Sequence, residues 1–369
     1  MRNKQFLYCI ITFMKGVLPY QELVKLVDRG VISVSKEKIK PSSIDLPVAD
    51  EIYEISSAFL PSGKAVRSLL EAGSLVKPKR VDFTKPLKKG HTYLVRLDID
   101  FDLTDQLWGT CSPKSSIGRV DMHVRIIADG VRRFDFIPRG YTGTLWALVT
   151  PHSFDIKLGV GVSLSQARII FEDMDWLTNP KDVQKVVEFA GIVKGPTVNI
   201  DELDGGILLS VDLSGEVDAW VPKETAPVLD LTAPDKSLNP ADYWVPVKAG
   251  DKKIKLEKDK FYILSILEGV RIPPYLAAEF VAVDTYLGEF RSHYAGFVDP
   301  GWGLGEELGR PLTLELRPYE DLVIAHGQSI AKLVLYKLLK TTEVTYDSGQ
   351  ADAHYRDQWG PRLAKYFRR

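Results

Sequence analysis

The run CSPKSSIGR, Cys111 to Arg119, places a lysine, two adjacent serines and an arginine within six residues, between apolar segments. Backbone N–H groups, hydroxyls and cationic forks so spaced can together surround the oxygens of a phosphate. A serine-rich basic loop is equally an ordinary solvated turn, so the run by itself marks a candidate anion site and no more. Metal and disulfide chemistry have less material. The two cysteines, Cys9 and Cys111, build neither a disulfide framework nor a cysteine zinc site within one chain, and His123 and His293 lack metal-ligand spacing.

The elements that must position this loop lie in a chain of ordinary globular composition, 45% hydrophobic and 26% charged. A formal net charge of −1 gives no global basic field, which argues against a nucleic-acid polymer as partner and leaves room for a local cationic pocket. Two cysteines in 369 residues fit a reducing cytoplasm, and no stretch is long enough to span a membrane. The apolar run FLYCIITFM after Arg2 and Lys4 superficially resembles the start of a secretory signal, but Lys15 and Pro19 follow it without an A-x-A-like cleavage site. Met14 as the natural start is the alternative reading of that segment.

The second half of the chain repeats the first. ELVKLVDRG (Glu22 to Gly30) and DVQKVVEFAG (Asp182 to Gly191) share the apolar spacing of a short amphipathic helix, and Pro180 after Asn179 is a helix start. SSIDLPVADEIYEI matches LLSVDLSGEVDAWV, with Asp45 opposite Asp212, and LKKGHTYLVRL from Leu87 matches LEKDKFYILSI from Leu256. ALVTPHSFDI pairs with ELRPYEDLVI, and Ala167-Arg168 with Ala331-Lys332. An offset drifting between roughly 160 and 169 residues over most of the chain reads as a tandem duplication. The junction falls near Trp176 to Pro180, which predicts domains at 1–177 and 178–369. Short runs of Val, Ile, Leu, Tyr and Phe broken by Gly and Pro, without strand–helix alternation, predict a mainly-β fold: two barrels or sandwiches, each opened by a short helix.

The copies differ where chemistry would sit. SPKSSIGR faces AVDTYLGE, so Lys114 becomes Asp284, Ser116 becomes Tyr286 and Arg119 becomes Glu289; the second copy cannot hold an anion there. Conversely, the strand LTLELRP carries Glu315 where LWALVTP has Leu148. Each half therefore holds part of a site. By alternation alone, Glu315 between Leu314 and Leu316 reads as the solvent side of a strand. Asp299-Pro300-Gly301 reads as a turn and Trp302 as packing.

Taken together, four segments resemble the dCTP deaminases: PKSSIGR their R-S-S-x-A-R loop, AGFVDPGWG their A-H-R-I-D-P-G-W-S-G turn, LTLEL the strand of their catalytic glutamate, and YDSGQADAHYRDQWG their closing C-terminal tail. The whole is similar to the long, duplicated form of that family, whose subunit fold, a distorted β-clip barrel, is shared with trimeric dUTPases. The resemblance implies a hydrolytic deaminase turning dCTP into dUTP and ammonia in deoxynucleotide metabolism. It implies no zinc, since H-x-E and P-C-x-x-C are lacking, and Mg²⁺ bound through the substrate triphosphate. Lys114, Ser115, Ser116 and Arg119 would hold the triphosphate and orient water, with Glu315 as general base and Ser115 and Arg119 beside it. Ala295 would offer backbone groups to the cytosine edge, Asp299 and Trp302 would shape the nucleoside pocket, and Tyr346, His354 and Gln358 would reach phosphates from the tail. A homotrimer of two-domain chains, with dUTP or dTTP as product or inhibitor, completes what the resemblance implies.

The sequence also departs from that pattern. Lys114 stands for an arginine and loses the bidentate fork, His354 stands for a lysine, and Gly118 for an alanine. LGEELGR, inserted before the Glu315 strand, makes Glu306 and Glu307 rivals for the catalytic carboxylate. A dUTPase or bifunctional enzyme, with Asp299 orienting water, and a non-enzymatic nucleotide-binding regulator remain as alternatives.

Overall fold

A computed structural model describes residues 15–73, 77–195, 198–281, 290–292, 295–348 and 353–369. The AVDTYLGE segment, His293, Cys9 and the apolar N-terminal run up to Met14 lie outside the described residues.

In the first half, helix α1 (Tyr20–Asp28) precedes the main strands β1 (Ile44–Ile55), β2 (Thr92–Asp102) and β3 (Leu107–Pro113). A single helical turn α2 (Ser115–Gly118) follows, then β4 (Met122–Ile127), β5 (Phe136–Ile137), β6 (Thr142–Pro151) and β7 (Ser163–Phe171). The second half opens with α3 (Pro180–Ala190) and continues with β8 (Ile207–Asp212), β9 (Tyr262–Ile266), β10 (Leu276–Val281), β11 (Phe297–Val298), β12 (Thr313–Pro318) and β13 (Ser329–Lys337). Helix α3 begins as its residues dictate: Asn179 Oδ1 accepts from the N–H groups of Lys181 and Asp182, and Pro180 occupies the first turn, where its missing donor costs nothing.

The duplication is written in the strand order. The first sheet runs β4–β6–β2–β1–β7–β3–β5; the second contains the run β9–β8–β13–β10–β11, with β12 paired to β9 as β6 is to β2. Position by position these are the same sheet. Leu148 on β6 pairs with Leu94 on β2, and Glu315 on β12 pairs with Ile263 on β9, so the leucine and the glutamate aligned in sequence hold equivalent rungs. The strands alternate apolar residues into two separate cores, one containing Leu46, Leu94 and Ile169, the other Leu209, Leu264, Leu314 and Leu333.

The halves are joined by more than the linker. Trp176 and Leu177 pair with Tyr336 and Leu335 of the second sheet. The C-terminal segment crosses back, packing Leu363, Tyr366 and Phe367 into the first-half core. An edge-on aromatic cluster secures it: Phe154 meets Trp244 at 5.2 Å and Trp244 meets Phe367 at 6.0 Å between ring centroids. Such contacts add about 0.5–1.5 kcal/mol each beyond area burial. No helix among the described residues is long and apolar enough to cross a membrane.

Candidate active site

The polar run at Lys114 is not an open loop. Pro113 closes β3 without an N–H to extend the ladder, and the chain turns at Lys114 into α2. The N–H of Arg119 donates to the Ser115 carbonyl at 3.0 Å, so the two side chains lie one turn apart on the same side. Both border a cavity that is also lined by Lys114 and Ser116 and, from the other half of the same chain, by Ala295, Asp299, Trp302 and Glu315.

Glu315 faces this cavity for a simple reason. Leu314 and Leu316 point into the second core, so the residue between them takes the opposite face, and that face is covered by the first half rather than by water. It is 1% exposed, and Arg119 is 3% exposed. Arg119 Nε lies 3.8 Å from Glu315 Oε1, and the Ala295 N–H donates to Glu315 Oε2 at 3.3 Å. That Nε is buried and has no hydrogen-bond partner among the described residues. The guanidinium is fixed from two other directions: it lies 4.0 Å from the centre of the Tyr355 ring, and Nη1 donates to the Arg362 carbonyl at 3.1 Å. Burial pushes the Tyr355 hydroxyl up in pKa, with Arg119 opposing, and pushes the Arg362 guanidinium down, with Arg119 adding to the effect.

Two family models cover the chain: the N-terminal domain of 2′-deoxycytidine 5′-triphosphate deaminase matches residues 14–173, and the C-terminal domain of the same enzyme matches residues 180–367. The chain belongs to the dCTP deaminase family. A crystal structure of 2′-deoxycytidine 5′-triphosphate deaminase from Agrobacterium tumefaciens superposes with a TM-score of 0.83 at 30% identity, covering 92% of this chain and 100% of that one. Among curated relatives, a dCTP deaminase, dUMP-forming, from Streptomyces griseus is 30% identical over 122 residues, which is 32% of this chain and 61% of the relative. One of the same description from Rhodococcus erythropolis is 32% identical over 116 residues, 30% of this chain and 58% of the relative. The chain thus spans about six-tenths of the length of the curated relatives it matches.

Within this dCTP deaminase fold the other expected residues fall into two groups. Tyr346 and His354 line the cavity. Gln358 does not: it is fully buried, and its amide donates to the Pro311 carbonyl at 2.8 Å. His354 is held by Asp235, Nδ1 to Oδ2 at 2.8 Å, with Lys365 beside the same carboxylate at 3.2 Å. Lys114 is paired with Asp45, whose Oδ2 is also 3.6 Å from the buried Lys40 ammonium. The Ser116 hydroxyl is hydrogen-bonded to Tyr366, whose pKa burial raises. Of the rival glutamates, Glu306 pairs with Arg310 at 3.5 Å, and neither it nor Glu307 reaches the cavity. Trp302 is buried, its indole N–H donating to the Arg310 carbonyl at 3.2 Å, so it both packs and lines the wall. Among the described residues, no three His, Cys, Asp or Glu side chains converge to hold a metal ion.

Sequence reasoning missed Lys40, Gln166 and Tyr355 on the cavity wall. Tyr355 adjoins His354 in a segment already singled out. Lys40 lies five residues before Asp45, in the stretch that leads into the repeated SSIDLP strand.

Proposed function

We propose that the chain deaminates dCTP hydrolytically, with Glu315 as general base and no catalytic zinc. The observation that carries this reading is the meeting of Arg119 and Glu315, brought from opposite halves and both buried, on one cavity with Lys114, Ser115 and Asp299. Water adds to C4 of the cytosine while Glu315 takes its proton and passes it to N3. A second transfer to the exocyclic amine then breaks the C4–N bond, so dCTP and water become dUTP and ammonia. One carboxylate within hydrogen-bond reach suffices for this shuttle, which is worth about 10²–10⁴-fold in rate. The Ala295 N–H orients that carboxylate. The unsatisfied Arg119 Nε–H offers a fixed donor where charge develops.

Lys114, Ser115, Ser116, Tyr346 and His354 supply the triphosphate subsite in this reading, and Mg²⁺ enters with the phosphates, held mainly by them and by water. Phosphate must compete with Asp45 for Lys114. The cavity measures about 90 Å³ with the tail in place, below the roughly 300 Å³ of a small-molecule site. A second reading, in which the triphosphate is also cleaved to give dUMP, is favoured by the names of both curated relatives and by Asp299 at the cavity wall. Three such chains, supplying six domains, form the trimer we propose for the assembly.

The test is to incubate chelator-treated protein with dCTP and Mg²⁺ and to resolve ammonia, dUTP and dUMP over time. Ammonia with dUTP is expected for deamination alone, and ammonia with dUMP for the coupled reaction. Glu315→Gln is expected to cut ammonia release at least about 100-fold while dCTP affinity stays within a few-fold. A wild-type chain that binds dCTP without releasing ammonia would make it a nucleotide-binding regulator, and a fully active Glu315→Gln would remove the glutamate from its role.

A further inference from the structure

The turn from Ala295 to Asp299 belongs to the second half, yet first-half side chains hold it. Ser112 Oγ accepts from the Gly296 N–H at 2.9 Å, and Ser42 Oγ donates to Asp299 Oδ1 at 3.2 Å. The third support is Arg168, on β7, which is 0% exposed. Its Nη1 donates to the Ala278 carbonyl at 3.0 Å and its Nη2 to the Val298 carbonyl at 3.0 Å, with Asp299 Oδ1 at 3.4 Å from Nη2. Ala278 and Val298 are direct partners across β10 and β11, so a single guanidinium clasps both strands at one rung. The Phe297 ring lies 4.0 Å from its centre, and the Tyr336 ring 5.2 Å.

The duplicate gives the contrast. Lys332 holds the equivalent place after Ala331, is also buried, and spends its charge within its own half on Asp201 at 2.7 Å and Asp204 at 2.8 Å. Both copies therefore keep a buried cation at this sheet position, but the first-half copy is an arginine that crosses to the cavity wall. A planar fork serves two carbonyls and a carboxylate in one fixed geometry, whereas the donors of an ammonium rotate on a flexible stem. β7 also pairs with β3, Arg168 opposite Thr110, and β3 leads directly into the Lys114–Arg119 turn.

We propose that Arg168 is a positioning residue for the reaction: it fixes Asp299 and the Ala295 turn against the phosphate-holding half, so that nucleoside and triphosphate are gripped at a set separation. The inference rests on the dCTP deaminase reading of this cavity.

The experiment compares Arg168→Met, Arg168→Lys, Asp299→Asn and the Arg168→Met/Asp299→Asn double variant with the wild type. It measures dCTP turnover, calorimetric affinity for dCTP and for inorganic tripolyphosphate, and thermal unfolding. Arg168→Met is expected to weaken dCTP binding and raise KM by about 10- to 100-fold, the scale of a misplaced substrate group, with tripolyphosphate affinity within about 3-fold of wild type. Arg168→Lys falls between the two. The double variant is no more than about 3-fold worse than the worse single, because both changes remove one linkage. Unchanged dCTP affinity in Arg168→Met, multiplying losses in the double variant, or equal loss of dCTP and tripolyphosphate would overturn the proposal. If Arg168→Met does not fold, Arg168→Lys decides through the same split between dCTP and tripolyphosphate. A wild type that binds dCTP but does not deaminate it refutes the enzymatic reading alone, since the affinities still judge Arg168; a wild type that binds neither removes both.

Discussion

Arg119 and Glu315 are a buried pair of opposite charge 3.8 Å apart, and removing one partner of such a pair strands the other in a poor solvent for ions. In the proposed reaction that cost falls at the place where a proton has to be moved, which would give a folded chain reason to keep it. A buried carboxyl outside this cavity shows the same cost of burial. Glu268 is 2% exposed, its Oε2 accepts from the Ser210 N–H at 2.9 Å, and burial pushes its pKa up. Its folded state therefore binds a proton more tightly than its unfolded state, and the chain loses stability as pH rises from the ordinary glutamate value of 4.5 through the raised value. Glu268→Gln removes that loss: urea midpoints at pH 5 and pH 8 are expected to show the variant gaining on the wild type at the higher pH, and a gain that shrinks with pH would contradict the assignment. Glu315 was legible in sequence because its repeat partner is Leu148, whereas its inward direction was not, since alternation cannot tell a solvent face from a face covered by another domain. Arg168 was visible only as the partner of Lys332, and its reach across the halves depends on packing that no local pattern encodes.

At the scale of elements, the repeated strand order makes the site intelligible. β6 and β12 occupy the same place in their sheets, so one carries a packing leucine and the other a carboxylate, and α2 has its phosphate-type residues in the first half alone among the described segments. The two opening helices and the strand-rich character of both halves were readable from periodicity. The polar run at Lys114 was not readable as a helical turn, because four residues carry too little periodicity to show one. The tail was recognisable by its motif, but its anchoring was not: Phe367, 1% exposed, sits among Tyr243 and Trp244, far along the chain. Phe367→Ala is expected to cost about 3–5 kcal/mol in urea unfolding and to raise KM for dCTP as Tyr355 loses its hold on Arg119. A destabilised variant with unchanged KM would detach the anchor from the site.

For the whole molecule, both parts of the cavity come from one chain, which makes a site within each chain the arrangement to test. Light scattering at three times the chain mass is the expected state, as the family resemblance implies: if its domains pack in threes, two per chain cannot close a threefold unit. The most direct measurement of the central claim is complementation. Chains bearing Arg119→Ala are co-expressed with chains bearing Glu315→Gln, and the mixed assemblies are assayed beside wild type for ammonia release from dCTP. The wild type is expected to be active and the mixture to remain as inactive as either variant alone, since no chain holds both groups. Activity restored in the mixture would mean that Arg119 and Glu315 meet between chains, and would contradict a site built by folding one duplicated chain onto itself.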